Sequence, residues 1–211
     1  MLIKQAKNAL AEQDWATAED RAEEARMYAG LDLTRSAQDV QKQIDEKRAE
    51  AVAKEAKKLA DEGKCASALK QVAVPVRAKT REHFKKEVKK RAQGPLVACL
   101  SQKLEEDVKT GSVEAARAML ASPDSTTALS SEGFKLAEAA LQKAIVKQST
   151  ADIQPLLAQQ KWAEAIAKLD ELKQKETLGA AEYPVAFEII QDAIRDHLLK
   201  LAASGLTAKS P

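Results

Sequence analysis

AEQDWATAEDRAEEA at residues 11–25, ADEGKCASALKQVAV at 60–74, VKTGSVEAARAMLAS at 108–122 and AQQKWAEAIAKLDEL at 158–172 are the stretches whose reading decides the fold. Each reads as the end of one helix, a short polar turn, a larger residue beside the turn, and an Ala three positions later opening a second helix. Aligned on the residue beside the turn, they place Trp15, Cys65, Val113 and Trp162 in register, at offsets of 50, 48 and 49 residues. The Ala three positions on is Ala18, Ala68, Ala116 or Ala165. Offsets this similar, in a chain without low-complexity tracts, mark an internal repeat.

The residue types follow from the packing such a unit needs. Two helices joined antiparallel through a tight turn require a small side chain where their axes come closest, and Ala admits that approach without clash. The residue four beyond the Ala (Ala22, Val72, Leu120 or Leu169) continues the inward stripe at helical spacing. Trp15 and Trp162, at equivalent positions, are expected to cap the open end of their hairpins and to be substantially buried.

Composition agrees. The chain has 211 residues, 45% hydrophobic and 31% charged, enough apolar content for a folded core. Aromatics are only 3%, and the helix-forming residues Ala, Leu, Lys, Glu and Gln dominate, so an all-α class is expected. Net charge is +2, which creates no global field for nucleic acid or a membrane surface. No apolar run approaches the roughly 20 residues a spanning helix needs, and MLIKQAKNAL lacks the apolar core and cleavage site of a signal peptide. A soluble, cytoplasmic protein without membrane insertion is therefore expected, or a periplasmic one if the chain is part of something exported.

At this point the chain resembles the tetratricopeptide-repeat family. That family's signature is a Gly-Asp-Tyr-like turn followed by a small Ala and further apolar positions, and Gln13, Asp14 and Trp15 with Ala18, Ala22 and Ala25 are similar to it. So are Gln160, Lys161 and Trp162 with Ala165, Leu169 and Leu172, while the middle copies keep Gly63 and Gly111 but carry Cys65 and Val113 in place of the aromatic. The resemblance implies a right-handed superhelical array of antiparallel hairpins, an α-solenoid. Its period of 34 residues is shorter than the 49 or so seen here, which leaves a three-helix unit of armadillo or HEAT type as an alternative.

The added length lies between each second helix and the next turn. Residues 33–62 contain no Gly or Pro, with Thr34 or Ser36 as N-caps, and predict one continuous helix of about 27 residues, roughly 40 Å long. Gly94-Pro95 and the run at 149–155, which ends in Pro155, predict kinked or split helices in the next two copies. Repeat turns near 13–15, 63–65, 111–113 and 160–162 belong to one domain over residues 1–204, and a disordered tail is expected at 205–211. SerProAspSerThrThr at 122–127 is the clearest linker, or an ordinary loop between helices.

Catalysis finds little footing. His83 and His197 are far apart and lack a neighbouring nucleophile motif, and no phosphate-loop, dinucleotide, HExxH or EF-hand pattern occurs. The adjacent carboxylates Glu23-Glu24 and Glu105-Glu106-Asp107 should diverge around their helices instead of converging on one site. Cys65 and Cys99 have neither zinc-ligand spacing nor a disulfide-framework pattern, and read as small apolar side chains in helix contacts, with a mutual disulfide as the lesser alternative. No cofactor or metal is expected.

Residues 77–91, RAKTREHFKKEVKKR, hold eight Lys or Arg against two Glu. Phe84, Val88 and Ala92 form a stripe at spacing four, which turns Arg81, Lys85, Lys86, Lys89 and Lys90 outward as a candidate partner-binding surface. Residues 12–50 carry eleven acids against six bases, so an acidic stretch precedes the basic one. The expected function is a non-catalytic scaffold for a protein or peptide partner. The alternatives are a polyanion or nucleic-acid binder using residues 77–91, and a regulatory or dimerisation module of a larger protein, with homo-oligomers compatible with either.

Overall fold

A computed structural model describes residues 1–27, 31–78, 80–175 and 177–207, with backbone alone at 31–33 and 204–207. Every described element is a helix: α1 (Leu2–Ala11), α2 (Trp15–Met27), α3 (Leu31–Asp61), α4 (Cys65–Arg77), α5 (Glu82–Lys109), α6 (Val113–Leu120), α7 (Pro123–Ala128), α8 (Ser131–Ala158), α9 (Trp162–Gln174) and α10 (Glu182–Thr207). The all-α class is as expected.

Four turns share one backbone. Gln13, Gly63, Gly111 and Gln160 have φ of 61°, 73°, 82° and 58°, and among the described residues no others are left-handed. In each turn the next residue's N–H reaches back five positions: Asp14 to Ala9 O, Lys64 to Leu59 O, Ser112 to Asp107 O and Lys161 to Leu156 O, at 2.8–2.9 Å. The left-handed residue's own N–H bonds the carbonyl three positions back, which completes a Schellman cap. The carbonyls of Asp14, Lys64, Ser112 and Lys161 then accept from Ala18, Ala68, Ala116 and Ala165, so one residue both ends a helix and opens the next. Glycine takes this conformation freely, and glutamine holds it at a cost of about 1 kcal/mol.

All four alanines are fully buried. Substituting Leu at Ala68 or Ala165 should destabilise by about 1–3 kcal/mol through overpacking at the helix crossing. The check is the urea midpoint, and an unchanged midpoint at both sites would remove the close-approach argument.

The long helices differ in part from expectation. α3 spans 31 residues without interruption and buries Ala37, Val40, Ile44, Ala49, Ala53 and Ala56 along one stripe. α5 and α8, at 28 residues each, also run on through Pro95 and Pro155, so of the kinked or split helices expected the split form does not occur. An interior proline costs about 3 kcal/mol. Buried side chains on both sides of each proline hold the helix together: Ala92, Leu96 and Leu100 in α5, Ile145, Ile153 and Leu157 in α8. Each fully buried Leu or Ile contributes about 1.5–3 kcal/mol.

Residues 122–127 are not a linker. Ser122 is the N-cap of α7, its Oγ accepting from Ser125 N at 3.2 Å, with Pro123 in the first turn. α7 packs on α4, helped by an Arg77–Asp124 ion pair. At the far end α10 continues to Thr207, so helix replaces the first residues of the expected tail, and 208–211 lie outside the described residues.

The chain forms two compact units. Unit 1 comprises Met1–Leu100 with Ala121–Lys135, and unit 2 comprises Ser101–Leu120 with Leu136–Pro211. In unit 1, α1, α2 and α3 pack together around Ala6, Ala9, Ala18, Ala22, Val40 and Ile44, a core whose small side chains bring the helix axes close. Unit 2 is built around Leu104, Val108, Ala116, Ile145, Ile153, Ala165, Leu169 and Ile190, all fully or almost fully buried. No described helix is long and apolar enough to cross a membrane.

Candidate interaction surfaces

Phe84, Val88 and Ala92 form the buried stripe of α5, as their spacing predicts. The cations around them do not all face outward. Arg81 Nε and Nη2 donate to the Asp45 carboxylate at 2.8–3.0 Å, and Nη2 also reaches Glu19 Oε1 at 3.0 Å. Arg48 Nη1 donates to the same Glu19 oxygen at 2.7 Å and lies over the Phe84 ring, 5.3 Å from its centroid. Asp45 is only 3% exposed, and its hydrogen bonds raise the Arg81 guanidinium pKa above the ordinary value against the opposing effect of burial. Arg81 therefore ties α2 and α3 to the start of α5, inside the fold.

Lys85 pairs with Glu82 at 3.0 Å, and Lys89 Nζ donates to the Leu129 carbonyl at 3.3 Å. Arg91 pairs with Glu87 at 3.2 Å, as i, i+4 spacing predicts. Of the five cations singled out from the sequence, Lys86 and Lys90 are exposed with no ion pair among the described residues. The structure thus divides the basic segment into an internal anchor, two tethered lysines and two free ones.

The adjacent carboxylates diverge. Glu23 accepts from Arg26 and Gln41, and Glu24 from Arg21. Glu105 pairs with Lys109 and Lys147, Glu106 accepts from Gln102, and Asp107 from Lys103. Each acid has its own partner, and no shared site forms from them.

Cys65 and Cys99 are joined in a disulfide with Cα atoms 5.6 Å apart, which corrects their reading as two independent apolar side chains. The physical reason is the run of α4 into α5. Cys65 opens α4 and Cys99 lies within α5, the helix that follows it after the connecting residues 78–81. Cys65 stands two residues past the left-handed residue of its turn, as Trp15, Val113 and Trp162 do past theirs.

Trp15 and Trp162 are half-buried, less enclosed than expected. A residue beside a hairpin turn is covered on one side and open on the other. Trp15 lines a cleft with Leu10, Lys47, Glu50 and Lys54, and the Trp162 ring lies 5.8 Å from that of His197, tilted by 49°.

A different surface of unit 2 gave no local signal in the sequence. Leu136, Val185, Leu198, Leu199 and Leu201 are each more than half exposed, four of them on α10. α8 and the start of α10 also border a groove of about 450 Å³ floored by Ala139, Val146, Val185 and Ile189. Lys143 and Lys147 stand along its α8 side, one helical turn apart, both exposed.

No protein-family model matches this chain, nor does any curated protein or solved structure.

Proposed function

We propose that the chain is a non-catalytic scaffold that holds another protein, built from divergent helical hairpins similar to tetratricopeptide repeats. The four equivalent turns support the hairpin reading. The observation that carries the scaffold reading is the exposure of large apolar side chains on two sides of α10, Val185 with Leu199 and Leu198 with Leu201, each more than half exposed. Solvated apolar side chains scattered singly are ordinary, but several on one helix mark a surface that is covered in use. The polyanion reading has less support, because Arg81, Lys85 and Lys89 are engaged within the fold. The disulfide favours an oxidising compartment over the cytoplasm expected from the sequence.

The test is position-dependent photocrosslinking in the native cell, with the reactive group at Leu199 and, as control, at Lys58. The expected result is a discrete adduct from Leu199 alone. Equal adducts from both positions, or none from Leu199, would argue that α10 is not a docking face.

A further inference from the structure

We propose that the groove between α8 and the start of α10 seats an acidic amphipathic helix of a partner protein, an inference that rests on the scaffold reading above. The groove floor is hydrocarbon: the methyl groups of Ala139, Val146, Val185 and Ile189, with Val185 51% exposed. An extended segment laid there would leave backbone N–H and C=O groups against an apolar surface, with no strand edge among the described residues to pair them. A helix satisfies those groups internally and offers apolar side chains at i, i+3 or i+4 and i+7, the spacing by which amphipathic helices fill such grooves. A volume of about 450 Å³ takes a few aliphatic side chains from one helical face.

Charge selects the partner. Lys143 has no ion pair among the described residues, and Lys147 faces Glu105 at 3.6 Å with its own side chain 71% exposed, a contact water screens and a partner carboxylate can replace. The one acid lining the groove, Glu182, is 8% exposed and directed to Arg117 at 3.9 Å, so its charge is spent within the unit. The groove therefore presents two cations beside an apolar floor. Asp or Glu at i, i+4 on the partner meets Lys143 and Lys147 while its apolar face enters the groove.

The experiment selects a displayed library of helical peptides against the intact protein, then measures the enriched peptides by fluorescence anisotropy on the wild type, V185E and K143E/K147E. All three altered side chains are at least half exposed or at the surface, and circular dichroism melts establish that the variants are folded. The expected outcome is enrichment of amphipathic peptides with acidic flanks. Their binding should be lost in V185E, and weakened about tenfold in K143E/K147E and by added salt. Failure to enrich binders, enrichment of basic or neutral peptides, or binding that V185E leaves intact would overturn the proposal. So would a dimer of the free protein that V185E dissociates, since the groove would then hold a second copy. Adducts at Leu199 together with any of these results would leave the scaffold reading standing and remove only its assignment to this groove.

Discussion

Replacing Cys65 and Cys99 together with alanine should cost unit 1 about 4 kcal/mol of stability. The bond closes a loop with a sequence separation of 34, and cross-linking a loop of that length removes about that much chain entropy from the unfolded state. Alanine is the cleaner choice, because both positions are buried and a serine hydroxyl would add its own desolvation cost. Urea unfolding of the wild type with and without a thiol reductant should bracket the variant: oxidised protein well above it, reduced protein close to it. Two free thiols in the denatured, non-reduced wild type, or coincident midpoints in all three samples, would show that the bond does not form or does not stabilise.

Arg81→Ala is expected to cost about 3 kcal/mol, at the lower end for a broken buried ion pair because the guanidinium is itself 38% exposed. The loss lies mainly in what remains behind: the Asp45 carboxylate, 3% exposed, without the three hydrogen bonds that Arg81 donates. Arg81→Lys should not restore the wild-type value, since an ammonium cannot reproduce the planar fork that spans Asp45 and Glu19. A double-mutant cycle with Asp45→Asn decides the matter. If R81A and D45N are additive within about 0.5 kcal/mol, the clamp contributes nothing specific.

Legibility in the sequence followed the range of the interaction. The turns were readable because their chemistry is local: a left-handed residue, a buried Ala five positions later, and a larger side chain between them. The α5 stripe of Phe84, Val88 and Ala92 was readable for the same reason. Arg81 was misread as a surface cation because its partners, Asp45 and Glu19, are 36 and 62 residues away and no periodicity connects them. Pro95 and Pro155 signal a kink or a break by local chemistry alone, and the break is absent because buried neighbours on both sides outweigh it. The groove has no local signature at all. It arises from two helix faces some 40 residues apart, and only the folded arrangement brings Lys143, Val146 and Val185 to one place.

The position of the disulfide also matters when the chain is under tension. A chain pulled from its two ends lengthens as its helices unravel, but the segment between Cys65 and Cys99 lies inside a covalent ring and carries no force. With a separation of 34 residues, roughly 110 Å of contour is withheld until the bond is reduced. The α4–α5 hairpin would thus keep its connection however far the rest of the molecule is drawn out, and a reductant would convert a short tether into a long one.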